Sequence, residues 1–282
     1  MQELLRAQGY LTAGFTGHYW WLRPRYGFAR GFDRYNCSIE MLRPVRETLP
    51  LASAWLDAHS EPRFFLFFHL YDIHQKMAFQ GYRLPYDPGI PEFRVFSKGM
   101  SERELFSAPG RNAFAAADLL TAYRDGRITL TENDHRMLCA LYDDCVLLAD
   151  NAVGNVLDEL KARGLFDRAL IVVTADHGET LNERGYYNHT DLFEETIHVP
   201  LWVHFPGGKH AGEHFAPPVT LMDIVPTILE TLGMEDVPTM DGISLKQQLE
   251  NATPPRDTVF LQIGTLRGAR SGNVKLRYDE MR

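Results

Sequence analysis

The chain has 282 residues, 45% of them hydrophobic and 23% charged, with a formal net charge of -8. This is an ordinary globular composition that indicates neither a disordered chain nor a membrane protein and allows one large core or a core with a small satellite. No apolar run reaches the roughly 20 residues of a spanning helix, so no membrane segment is expected, and without clustered Lys and Arg no nucleic-acid partner is expected.

Met1 to Gly9 lacks the basic region and apolar stretch of a signal peptide, which places the chain in the cytoplasm if Met1 is the true start. Leu4, Leu5 and Gln8 predict a short helix ended by Gly9, and Tyr10 to Thr16 a strand. Pro50 to His59 reads as a helix with Pro in its first turn and Leu51, Ala54, Trp55 and Ala58 on one face. The run Arg63 to Leu70 is apolar on both faces, as in a strand of a covered parallel sheet. It leads into Tyr71-Asp72-Ile73-His74, polar residues at a strand end where open α/β sheets place ligand sites. Residues 75–130, with Pro85, Pro88, Gly89 and Pro91, read as a long loop without assigned elements.

Thr131 to Arg163 is the clearest helix, with Thr131 and Asp134 as its cap and Leu138, Leu141, Cys145, Ala149, Val153 and Leu160 along one stripe. Cys139 and Cys145 fall on different faces of it, so with Cys37 they form no disulfide framework and no paired ligand spacing. Gly164 ends the helix, and Ala169 to Thr174 is a β-branched buried strand. Val199 to Phe205 is another strand. Asp223 is expected to cap a helix running to Leu232, with Pro226 in its first turn and Gly233 after it. Val259 to Ile263 and Asn273 to Tyr278 read as two short strands.

Helix, Gly, strand is the rhythm of an α/β protein. The expectation is a central, largely parallel sheet holding 10–16, 63–70, 169–174 and 199–205 in a domain spanning 1–250, with residues 251–282 beginning a small C-terminal subdomain.

The chemistry concentrates in Thr174-Ala175-Asp176-His177-Gly178-Glu179. Asp176 offers a hard oxygen and His177 an imidazole nitrogen from the end of a buried strand, and Gly178 lets the backbone turn, a combination suited to a cation. The plainer alternative is that Asp176 only caps a following helix. His74, also at a strand end, can donate to an anion or shuttle a proton near neutral pH. His69 sits inside the apolar run and is expected to pack within the sheet.

From Tyr142 to Gly207 the order of these features resembles the sulfatase family of the alkaline-phosphatase superfamily. It runs Tyr142-Asp143, a long helix with Leu157-Asp158-Glu159-Leu160, Gly164-Leu165, a strand, Thr174 to Glu179, then Phe193-Glu194-Glu195-Thr196-Ile197-His198-Val199-Pro200-Leu201 and Pro206-Gly207. The likeness extends over Leu4 to Ala13, Gly27 to Asp33 and Val219 to Leu249, nearly the whole chain. It implies a three-layer alkaline-phosphatase-like α/β fold. It also implies a divalent metal ion, Ca²⁺ first with Mg²⁺ or Mn²⁺ as alternatives, held by Asp176 and His177 beside a small-molecule or carbohydrate sulfate ester. In Asn188-His189-Thr190 the resemblance makes His189 a donor to the ester oxygens, against the alternative of a solvated loop histidine. His74 matches the last position of the family's His-x-Tyr-Asp-Pro-His stretch, with Ile73 in place of Pro, and there contacts the substrate anion.

The sequence departs from the family at its N-terminal side. Neither the paired Asp ligands nor the Cys-x-Pro/Ala-x-Arg segment that becomes formylglycine occurs; Cys37 is followed by Ser38-Ile39-Glu40-Met41 and is assigned no catalytic role. The Gly-Lys-x-His of many members is replaced by Gly17-His18, without the Lys. The expectation is therefore a sulfate-ester hydrolase lacking its nucleophile segment, with little activity alone. A phosphate-ester or phosphonate hydrolase and a non-catalytic binding protein of the same fold are the alternatives.

Overall fold

The computed structural model describes residues 1–17, 21–37, 43–59, 63–74, 86, 88–100, 116–234 and 238–281; His18 and much of 75–130 lie outside them. The chain divides into two compact units, Met1–Arg163 with Leu181–Tyr187, and Gly164–Thr180 with Asn188–Arg282.

In the first unit, α1 (Gln2–Ala7) leads into β1 (Leu11–Thr16), which lies between β2 (Arg34–Cys37) and β3 (Phe64–His69) in a parallel sheet. Leu11 is opposite Phe64 and Thr16 opposite His69, so the C-terminal ends of these strands are level. Helix α2 (Val45–Ala58) covers the sheet, with Ala52 against Ala13 and Phe15 and with Trp55, Leu66 and Phe68 around them. It begins a turn and a half earlier than the sequence suggests and has Pro50 inside it. The cause is a long-range cap: the Val45 N–H points at both carboxylate oxygens of buried Asp72, at 3.2 and 3.0 Å.

Among the described residues the unit also holds α3 (Ala116–Arg124) and α4 (Glu132–Ala162). The second has the expected cap, in which Thr131 and Asp134 each satisfy the other's backbone N–H. Its Met137, Leu138, Leu141 and Cys145 pack with Leu119, Leu120, Tyr86 and Tyr187. Fully burying a leucine such as Leu138 stabilises by about 1.5–3 kcal/mol. On the same helix, buried Asp144 accepts the N–H groups of Val95, Phe96 and Ser97 at 2.8, 2.8 and 3.2 Å, so part of the stretch left without elements is held in place by a carboxylate. Cys37, Cys139 and Cys145 are all free thiols.

In the second unit β4 (Ile171–Thr174) pairs antiparallel with β7 (Leu201–His204), Thr174 opposite Leu201. This corrects the expectation of one sheet holding all four segments: among the described residues the hydrogen-bonded ladders put β1 with β3 and β4 with β7. A strand apolar on both faces declares burial but not direction, and here the turn through 194–200 returns the chain alongside the strand it left.

Asp223 also differs from expectation. It is the N3 residue of a capping box begun by Thr220, ahead of α6 (Ile224–Thr231), and its buried carboxylate takes the N–H groups of Thr220 and Ile243, both at 2.8 Å, and the Arg256 guanidinium. After α7 (Leu245–Leu249) comes a three-stranded antiparallel sheet of β8 (Thr258–Ile263), β9 (Leu266–Ser271) and β10 (Val274–Asp279). The sequence reading missed β9, whose Leu-Arg-Gly-Ala-Arg-Ser has little β propensity. The two-residue loops on either side, Gly264-Thr265 and Gly272-Asn273, each begin with a glycine at positive φ, the conformation tight hairpins need.

Candidate functional site

Thr174 closes β4 by donating its hydroxyl to the Pro200 carbonyl at 2.8 Å. The chain then turns through Ala175 to Glu179 against the backbone of the short helix α5 (Glu194–Ile197). Gly178 makes that approach possible: its N–H donates to the Thr196 carbonyl at 2.8 Å, and a Cβ placed on it would stand 2.1 Å from the Glu195 carbonyl oxygen.

The Asp176 side chain is largely exposed, and its Oδ1 lies 3.8 Å from His177 Nε2. His177 Nδ1 faces the Gly178 carbonyl at 2.9 Å. A carbonyl only accepts, so Nδ1 carries a hydrogen, and in the neutral ring Nε2 is the atom with the lone pair. Two donor atoms at this separation can both reach one cation at about 2.0–2.4 Å. The donor set therefore fits a divalent ion: a carboxylate oxygen beside an imidazole whose tautomer is fixed by a second partner. As two ligands of about six, it is part of a site.

A short hairpin, β5 (Thr180–Leu181) and β6 (Tyr187–Asn188), carries the chain back. The Thr180 hydroxyl donates to the Asn188 carbonyl and accepts the Asn188 N–H at 3.0 Å, which sets Glu179 opposite His189. Glu179 Oε2 lies 3.1 Å from His189 Nδ1, with the Glu179 side chain only 5% exposed. The other carboxylate oxygen of Glu179 is buried and has no hydrogen-bond partner among the described residues. The His189 ring stacks on His177 at 4.2 Å between centroids, and a ligand nitrogen of each lies within 4.8 Å of the other. Burial by itself would lower the His189 pKa. The hydrogen bond and charge of Glu179, with the charges of Asp176 and Asp191, outweigh it and raise the value above the usual 6.5. The imidazole therefore holds its proton more readily than a solvated one, with Nδ1 on Glu179.

Beyond the hairpin, buried Asp191 accepts the Phe193 N–H at 2.8 Å and the Thr196 hydroxyl at 2.9 Å, fixing the turn into α5.

Of the residues singled out in the sequence, Asp176, His177 and His189 are thus neighbours. His74 is in the first unit, where its ring stacks on Tyr71 at 4.4 Å. His69 is half-buried between Phe67 and Tyr71. Cys37, at the end of β2, has its thiol pushed up by burial, and nearby Arg43 opposes that shift only in part. A thiol so placed is a poor nucleophile. Glu179 was visible in the motif, but its partnership with His189 depends on the hairpin, whose only local signal is the turn Asn182 to Gly185, both at positive φ.

The sulfatase family profile matches residues 1–234. Among curated proteins, mouse arylsulfatase K is 32% identical over 123 residues, 44% of this chain and 22% of the relative. An N-acetylglucosamine-6-O-sulfatase of Bacteroides thetaiotaomicron is 31% identical over 140 residues, 49% of this chain and 25% of the relative. The matched stretches thus span about a quarter of the length of these relatives. Among solved structures, a phosphonate monoester hydrolase from Silicibacter pomeroyi superposes with a TM-score of 0.63 at 19% identity, covering 98% of this chain and 72% of that one. That likeness establishes the alkaline-phosphatase-like α/β fold.

Proposed function

Because the chain belongs to the sulfatase family, we propose that it supplies the cation-binding and proton-handling residues of a sulfate-ester hydrolase acting on a small-molecule or carbohydrate sulfate. The observation that carries the reading is the stacked His177–His189 pair, with Asp176 on one side and Glu179 behind. In this reading Asp176 Oδ1 and His177 Nε2 hold a divalent cation, Ca²⁺, Mg²⁺ or Mn²⁺. Such an ion supplies Lewis-acid polarisation of the ester oxygens. His189, whose hold on its proton Glu179 strengthens, donates a ring N–H to the anion and can pass a proton to the departing alcohol. His74 is assigned a contact with the substrate anion on its motif alone. The names of the relatives, two of them sulfatases, support sulfate over other esters.

None of the three cysteines begins a Cys-x-Pro/Ala-x-Arg segment, so this reading has the nucleophile supplied from outside the residues assigned here, and the chain alone turns over poorly. The test compares the 282-residue protein with Asp176→Ala, measuring Mn²⁺ binding calorimetrically and release of a chromogenic alcohol from aryl sulfate, phosphate and phosphonate esters. The expected result is weak Mn²⁺ binding that the variant loses, with no difference in turnover. Equal binding by the two would overturn the ligand assignment. A metal-dependent rate that Asp176→Ala abolishes would place the nucleophile within these residues, and a rate confined to phosphate or phosphonate esters would replace sulfate as the substrate.

A further inference from the structure

One face of the C-terminal sheet carries four residues that meet the same short turn. On β9 and β10, Gly268 is opposite Arg277 and Arg270 opposite Lys275, so these four share a face. Each touches one or two of three consecutive residues, Leu192, Phe193 and Glu194. Gly268 leaves room for Leu192, whose Cδ1 would be 3.1 Å from a Cβ at that position. The Arg277 guanidinium lies over the Phe193 ring at 4.3 Å. Lys275 Nζ donates to Glu194 Oε1 at 2.7 Å and to the Leu192 carbonyl at 3.0 Å, while Arg270 pairs with the second Glu194 oxygen at 3.5 Å. Three cations on one sheet face repel one another, and Glu194 is the acid that two of them converge on.

The far side of the same turn is the wall against which Gly178 is packed, through the Glu195 carbonyl and the hydrogen bond to the Thr196 carbonyl. Between the two sides the segment is stiff, because the Asp191 carboxylate ties Phe193 N–H to the Thr196 hydroxyl. The contact with Gly178 is backbone on backbone, with no flexible side chain to absorb a shift. A displacement at Glu194 therefore reaches Gly178, and with it the adjoining His177 and Asp176.

We propose that Lys275, with Arg270, is a positioning residue for the Asp176–His177 loop, holding it from behind through Glu194 and the 192–196 turn. The inference rests on the reading of Asp176 and His177 as cation ligands for its functional part; its mechanical part does not.

The experiment uses the whole 282-residue chain and the variants Lys275→Met, Glu194→Gln, their double, and Lys275→Arg. Amide hydrogen exchange at Gly178 is followed by NMR, with the β4–β7 amides as internal reference and Mn²⁺ affinity measured in parallel. Losing a hydrogen bond to a charged group should raise local opening at Gly178 roughly tenfold. The double variant should exceed neither single, since both remove one contact, and Lys275→Arg should restore most of the protection. Mn²⁺ affinity should fall with the rise in exchange. Unchanged Gly178 exchange in both singles, or an equal rise across β4 and β7, would overturn the proposal, the latter by showing a purely global effect. A chain whose Gly178 opens as expected but whose Mn²⁺ binding ignores Asp176→Ala would sink the ligand reading and leave the mechanical link standing.

Discussion

Replacing Gly178 with alanine puts one methyl group against an immobile partner. The added carbon would lie 2.1 Å from the Glu195 carbonyl oxygen, whereas contacts of a real Cβ do not fall below 3.0 Å, so at least 3.0 − 2.1 = 0.9 Å must be found. Its obstacle is backbone, in a turn held by Asp191 on one side and by Lys275 on the other, so the 175–179 loop has to move. Forcing extra volume into a packed site costs about 1–3 kcal/mol, and the Gly178 to Thr196 hydrogen bond contributes about 0.5–1.5 kcal/mol more when it is stretched. The expected loss is about 1.5–4.5 kcal/mol, read from the urea midpoint at unchanged slope. Mn²⁺ binding at Asp176 and His177 should weaken with it, because the displaced residue follows His177 directly and its carbonyl fixes the His177 tautomer. A variant that unfolds within about 0.5 kcal/mol of the parent, the range of an inconsequential surface change, would refute the close-packing argument.

Other perturbations test the supports of each unit. Asp72→Ala removes both oxygens that take the Val45 N–H at the start of α2 and should cost about 1–2 kcal/mol, the range for a lost helix cap, in chemical denaturation. Asp223→Ala leaves the Arg256 guanidinium, 13% exposed, without its buried carboxylate and should cost about 3–5 kcal/mol, whereas a loss under about 1 kcal/mol would mean that water reaches the arginine. Glu194 has its carboxyl held below the ordinary 4.5, chiefly by the Lys275 hydrogen bond against some desolvation. A depressed folded pKa contributes stability that is complete above the unfolded value and disappears as pH falls through the folded one. The difference in urea midpoint between the parent and Glu194→Gln should hence be constant near neutral pH and shrink only below about 4.5; a difference growing with acidity would have the sign wrong.

What could be read in the sequence was whatever neighbouring residues settle among themselves. The 31-residue α4 was legible because its cap, stripe and terminating glycine lie within one stretch of chain. The start of α2 was not, because its cap is Asp72, 27 residues further on, and nothing local announces a helix that runs through Pro50. The role of Asp223 was misread for the same reason: an Asp ahead of an apolar helix looks like a simple cap until Arg256 is brought onto it from 33 residues away. Strand β9 was missed because two tight hairpins, not its own residues, put it between β8 and β10.

The candidate site divides along the same line. Asp176 and His177 adjoin in sequence, and the carbonyl that fixes the His177 tautomer belongs to the very next residue, so the Asp-His-Gly run specifies both donor atoms and the orientation of the lone pair. The proton-handling half has no such self-sufficiency. His189 is ten residues from Glu179, and its charge depends on a hairpin whose register is set by the Thr180 hydroxyl at Asn188. A one-residue slip there would turn Glu179 away and leave burial free to pull the His189 pKa down, so that the same side chain would no longer hold its proton as readily. The candidate ligand pair is therefore encoded by adjacency in sequence and the candidate acid by register, so that a histidine the sequence offers either as an ester-oxygen donor or as a solvated loop residue is, in the folded chain, the partner of a buried carboxylate.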